Sequence, residues 1–147
     1  FVLMPNHFHM LINVVEKSEV SKWAKWFQGV YAQYFNKKYE RVGGLWQDRF
    51  YAKEVRKGLQ LAKTWMYVEQ NPVKAFLSKT QADWKWSSSY LRANGHRPHF
   101  LTEPSWWFTR RKNQWWSEDL LDDETLDKVR HSLKRESLFD EDMDWSE

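Results

Sequence analysis

Met4-Pro5-Asn6-His7-Phe8-His9-Met10-Leu11-Ile12 is the stretch whose reading decides the fold. Phe1-Val2-Leu3 precedes it and Leu11-Ile12-Asn13-Val14-Val15 continues it, so both flanks are apolar and the pattern predicts a buried strand. Side chains alternate along a strand, which puts His7 and His9 on the same side, about 7 Å apart. Two imidazoles at that spacing can share one metal ion. A chance His-Phe-His in a core strand, each ring satisfied by an ordinary hydrogen bond, is the competing reading, and the spacing by itself leaves both open.

The 147 residues suit one domain with a real core. Cysteine is absent, which excludes disulfides and thiolate metal sites, so a metal here would need His, carboxylate or amide ligands. There is no apolar run of transmembrane length and no secretory signal pattern; no membrane partner and a cytoplasmic, bacterial location are expected. The first residue, Phe1, falls inside an apolar run, and a strand needs neighbours, so the sequence is expected to be an N-terminally truncated fragment. Charge is uneven: residues 118–147 hold 12 Asp and Glu against 4 Lys and Arg, leaving 19 Lys and Arg against 8 Asp and Glu in residues 1–117. A basic body with an acidic tail fits a partner that carries phosphates. Of the 11 Trp, those between Trp84 and Trp116 lie among basic residues, a mixture that suits either stacking on unpaired bases or a packed core.

Beyond the first strand, Ser18 is a candidate N-cap. Val20, Trp23, Ala24, Phe27, Val30, Tyr31 and Tyr34 have helical spacing up to about Tyr39, predicting an amphipathic helix that lies on a sheet. Arg41-Val42-Gly43-Gly44 is a turn, and Leu45 to Val55 alternates as a strand with Gln47, Arg49 and Lys53 on one face. Those three could grip a phosphate backbone, or they could be the solvated side of an edge strand. A second helix is predicted from Leu59 to about Gln70. Its buried arc is Leu59, Leu61, Ala62, Trp65, Met66 and Val68, and its polar arc is Gln60, Lys63, Thr64, Tyr67 and Asn71. Pro72 should end that helix, with Asn71 as N-cap of a short helix from Val73 to Leu77. Asn71 is thus either a cap or a metal ligand. Asp83 to Leu91 reads as a loop with a short helix closed by Asn94-Gly95, residues 96–117 as a Trp- and Arg-rich linker, and Asp122 to Arg135 as a tail helix with Leu126, Val129 and Leu133 as its stripe.

A tyrosine hydroxyl, with an ordinary pKa near 10, is a poor nucleophile unless it or its target is activated. A divalent cation held by two imidazoles and an amide oxygen could activate a phosphodiester, leaving a phosphotyrosine and a free 3′-hydroxyl. The chain has no Cys, no acid pair at catalytic spacing and no phosphate-cradling Gly loop to support another chemistry.

MPNHFHMLI, GLWQDRFYAKEV and YVEQNPVKAFL, in that order, with DWKWSSSYLRANG after them, resemble the REP-associated tyrosine transposases, relatives of the single-tyrosine HUH (IS200-like) transposases. The resemblance covers roughly residues 2–95. It implies an α+β fold, with a ferredoxin-like antiparallel sheet and helices on one face, here followed by a helical, acidic C-terminal tail. It implies a catalytic domain over residues 1–95, with the family's first strand and helix missing; composition sets the linker at 96–117 and the acidic tail at 118–147. It further implies Tyr67 as nucleophile, His7, His9 and Asn71 as ligands of Mg²⁺ or Mn²⁺, and single-stranded or hairpin DNA as partner to a monomer or homodimer. Arg49, Lys53, Arg56, Lys63 and Gln47 are the expected DNA contacts, and the tail is expected to fold over the basic face. The alternative is a truncated or domesticated single-stranded nucleic-acid-binding module without catalysis.

Overall fold

The computed structural model of the chain describes residues 1–56, 58–102 and 123–133, and divides into two compact units. The first combines Phe1–Leu11 with the described residues from Val55 onward; the second is Ile12–Glu54. The class is α+β, with a small antiparallel sheet and several helices.

The opening stretch is a hairpin and not one long strand. β1 (Val2–Leu3) pairs antiparallel with β2 (Phe8–His9), Val2 opposite His9 and Leu3 opposite Phe8. The Met4 N–H donates to the His7 carbonyl at 2.8 Å and closes the loop over Pro5 and Asn6. Proline cannot donate to a ladder and its φ is pre-set for a turn, while asparagine is a common turn residue, so Pro5-Asn6 outweighs the apolar flanks. The other edge of β1 is occupied by the segment around Ser87. Leu3 N–H donates to the Trp86 carbonyl at 2.8 Å, Ser88 N–H to the Phe1 carbonyl at 2.9 Å, and the Trp84 indole N–H to the Leu3 carbonyl at 2.8 Å.

α2 (Leu59–Lys74) is the centre of the first unit. It contacts β1, the 3-10 turn Gln81–Asp83 and α4 (Asp123–Leu133), and it runs straight through Pro72. The expected stop at Asn71, with a separate helix from Val73, does not occur. Pro72 has no N–H for the Val68 carbonyl, but the Asn71 side-chain amide lies 3.4 Å from that oxygen and 2.8 Å from the Tyr67 carbonyl, so the gap in the ladder is covered from the preceding residue. Nor is there a solvated polar face: Gln60, Thr64, Glu69 and Gln70 are buried, and Lys63, Tyr67 and Asn71 half-buried. A helix enclosed on all sides cannot be read by polarity alone.

α3 (Ser88–Ala93) is the short helix expected before Asn94-Gly95. Ser87 caps it by accepting from Tyr90 N–H at 3.0 Å, and Gly95 supplies the positive φ (+75°) after its end. α2 and α3 are tied by a buried ion pair between Glu69 and Arg92. Ser88 Oγ donates to the same Glu69 oxygen at 2.8 Å, and the Arg92 guanidinium lies 5.5 Å from the centre of the Trp65 ring. In α4, Val129 is fully buried on the expected stripe, and Lys128 pairs with Glu124 at 3.0 Å. Residues 103–122 and 134–147, and so most of the linker, the acidic end of the tail and Lys134-Arg135, lie outside the described residues.

The second unit is built on α1 (Lys17–Lys38), which begins with Glu16 as N-cap; Ser18 lies inside the first turn, 3.3 Å from a Glu16 carboxylate oxygen. Ala24 is buried, and Trp23 stacks on Phe27 with ring centres 5.1 Å apart. Its unit contains no strand among the described residues, so α1 has no sheet of its own to lie on. The expected strand Leu45–Val55 is irregular there. It packs through side chains instead of a ladder: the Trp46 indole N–H donates to the Gln28 carbonyl at 2.9 Å, and its ring lies 5.7 Å from that of Tyr31. Alternation in the sequence suits a strand only where another strand's backbone can receive it.

Removing one partner of a buried pair leaves the other charge without compensation. Arg92→Met is therefore expected to destabilise the first unit by about 3–5 kcal/mol, measured by urea unfolding, while adding Glu69→Leu recovers most of the loss. Equal stability of Arg92→Met and the parent chain would contradict the pairing.

Candidate active site

The hairpin and α2, both in the first unit, bring three rings together. His7 and His9 have ring centres 5.0 Å apart and planes nearly perpendicular. His9 and Tyr67 follow at 5.8 Å, also edge to face. The hairpin accounts for the first contact, because His7 closes the loop and His9 continues β2. The second follows from the attachment of α2 to β1 on one side and to α3 on the other. Glu69, two residues after Tyr67, projects from nearly the opposite side of the helix, so the ion pair holds α2 from behind while Tyr67 faces His9.

Each imidazole is prepared for a different reason. His7 is exposed, and its Nδ1–H donates to Asn6 Oδ1 at 2.7 Å, which leaves the lone pair of a neutral ring on Nε2. His9 is half-buried, and burial, followed by the neighbouring His7, pushes its pKa down to about 4. It is therefore neutral, with a lone pair available, across the whole physiological range. Asn71 sits one turn beyond Tyr67 on α2. Its amide nitrogen is committed to the Tyr67 and Val68 carbonyls, so Oδ1 is the atom this side chain could offer a cation. Among the described residues no three His, Cys, Asp or Glu side chains gather as a metal site. Two imidazoles and an amide oxygen are nevertheless donor types that suit a divalent ion.

The remaining candidates divide between the units. Arg56 is exposed in the first unit, its backbone N–H donating to Gln60 Oε1 at 2.7 Å, and Lys63 is half-buried one turn before Tyr67. Gln47 and Arg49 are exposed and Lys53 half-buried in the second unit. Arg49 N–H donates to Asp48 Oδ1 at 2.7 Å, which keeps that stretch turned locally.

Several supporting residues escaped the sequence reading. Asn6, which orients His7, was legible as the Asn of a Pro-Asn turn. Glu69 lies four residues after Trp65, a carboxylate on an otherwise apolar arc, and that position signals a buried partner. Neither Arg92 nor Ser88 carries any such mark, since both are brought to Glu69 only by folding.

His9 supplies a pH dependence. Between about 6.5 and about 4 the unfolded chain takes up a proton that the folded chain refuses, so folding stability falls as pH is lowered through that window. In an NMR titration of the metal-free protein the His9 ring should titrate near 4, and His7→Ala should move that midpoint upward. A midpoint near 6.5 in the parent chain would contradict the burial of this ring.

The family model described as "Transposase IS200 like" matches residues 1–71, just under half of the chain and a span that includes His7, His9, Tyr67 and Asn71. Comparison with curated proteins and with solved structures returns no match.

Proposed function

We propose that the chain, whose residues 1–71 match the IS200-like transposase family model, is a metal-dependent single-stranded DNA endonuclease and strand transferase. In this reading it acts on hairpin DNA through a covalent phosphotyrosine at Tyr67. The observation that carries the reading is the line of rings from His7 through His9 to Tyr67, at 5.0 and 5.8 Å. With it comes the ferredoxin-like HUH fold of which the hairpin and α2 would be a part.

His7 through Nε2, His9 through its neutral ring and Asn71 through Oδ1 would hold the ion. A bound Mg²⁺ or Mn²⁺ would polarise the phosphodiester and offset the charge that develops on its oxygens. The Tyr67 hydroxyl oxygen attacks phosphorus and loses its proton; the P–O3′ bond breaks, and the 3′ oxygen gains a proton and leaves as a hydroxyl. Rejoining is the reverse, with a 3′-hydroxyl displacing Tyr67 from phosphorus. The attacking oxygen belongs to a half-buried ring on a helix fastened from behind, so it is positioned before DNA arrives. Arg56 and Lys63 near the helix, and Gln47, Arg49 and Lys53 in the second unit, would contact the strand's phosphates.

Tyr67→Phe should lower cleavage and covalent attachment to a hairpin oligonucleotide in Mn²⁺ by about 10³-fold or more, measured as a protein–DNA adduct on a denaturing gel, with binding retained. Cleavage by Tyr67→Phe at the parent rate would overturn the assignment of the nucleophile. DNA binding by the parent chain without any adduct would make it a binding module. For a phosphate contact such as Arg49, replacement by Ala should weaken binding across sequences and reduce the slope of log K against log salt by about 1.

A further inference from the structure

The end of α2 carries a feature that the proposed cleavage does not use. Phe76 has φ +57°, in the left-handed region. Its turn is a complete Schellman closure, with Leu77 N–H donating to the Pro72 carbonyl at 2.8 Å and Phe76 N–H to the Val73 carbonyl at 3.0 Å. Glycine usually takes this position, because any Cβ there crowds the following carbonyl. A side chain held against its backbone preference normally recovers the cost by packing. Phe76 recovers none, since it is 95% exposed. The two hydrogen bonds hold its backbone, and the ring stands in solvent. Lys74 precedes it and the exposed Lys79 follows, and no Asp or Glu occurs from Gln70 to Ala82, so the surroundings favour a polyanion.

We propose that Phe76 is a stacking platform for an unpaired base of the DNA strand that Tyr67 cuts. This rests on the function proposed above and adds a second point of contact to it. Tyr67 and Phe76 are nine residues apart, about 13 Å along the axis of a helix, so the stacked base lies a few nucleotides from the reacting phosphate. An aromatic ring on a pre-set backbone loses little freedom on binding, and every base has a face to stack on, so the contact tolerates any sequence. Strain retained at a fully presented side chain is the pattern expected of a ligand contact.

The test uses the full chain carrying Tyr67→Phe, so that nothing is cleaved, and a mixed-sequence single-stranded oligonucleotide containing 2-aminopurine. Adding Phe76→Ala should weaken binding about 5- to 150-fold and abolish the quenching that stacking causes. Phe76→Trp should preserve both, and affinity for a blunt duplex should not change. Phe76→Gly should raise the melting temperature while losing the same affinity, which separates the ligand contact from any part in folding. Equal single-strand affinity with and without Phe76→Ala would overturn this assignment and leave the nuclease reading standing. A change in oligomeric mass with unchanged DNA affinity would overturn it in favour of a protein contact. Failure of the Tyr67→Phe chain and the parent chain alike to bind the single strand would overturn the function reading, and this assignment with it.

Discussion

The buried pair between Glu69 and Arg92 is the interaction on which the first unit depends. A carboxylate and a guanidinium taken out of water are costly apart and tolerable only together, so the pair admits one relative position of α2 and α3. Ser88 extends the constraint to the sheet. Its hydroxyl donates to Glu69, while its backbone N–H donates to the Phe1 carbonyl beside β1. Three elements distant in sequence are thereby fastened around one carboxylate, and the Trp65 ring covers the guanidinium.

This arrangement explains why a hairpin with so short a ladder can present two histidines in a defined way. β1 and β2 are brief, and a two-stranded hairpin is marginal by itself. The bonds from Trp84, Trp86 and Ser88 to the β1 backbone supply the missing support. On the other side of α2 the consequence is chemical. Tyr67 meets the His9 ring, burial keeps that ring neutral, and Asn6 sets which nitrogen of His7 is available. The same helix continues through Pro72 because Asn71 covers the carbonyl that proline leaves unpaired. Asn71 thus serves the backbone with its nitrogen and can serve a cation only with its oxygen.

Within this frame the second unit follows a different logic. Its single long helix and its irregular segment are joined by aromatic contacts and by the Trp46 hydrogen bond, without a ladder. Several large rings on or near α1, among them Trp26, Tyr34 and Tyr39, are exposed, and Lys38 lies over two of them. The unit is held mainly by local contacts along one helix, whereas the first unit is held by contacts between residues far apart in the chain.

What the sequence by itself determined is local. Helical spacing marked α1, α2 and the tail helix, the Asn94-Gly95 turn marked the end of the short helix α3, and His7, His9, Tyr67 and Asn71 stood out because their chemistry is unusual for their positions. The first expected strand is shortened to Phe8–His9 of a hairpin and the expected Leu45–Val55 strand is absent, since apolar flanks and alternation describe a side chain's surroundings and say nothing of whether a backbone partner exists. The helix end expected at Pro72 does not occur, because the rule for proline takes no account of a side chain, here Asn71, that repairs the ladder. Only the tertiary structure decided that the two imidazoles and the Tyr67 ring meet. Their meeting depends on Glu69, Arg92 and Ser88, whose mutual attraction acts across 19 and 23 residues of chain and becomes strong only once folding has removed the water between them.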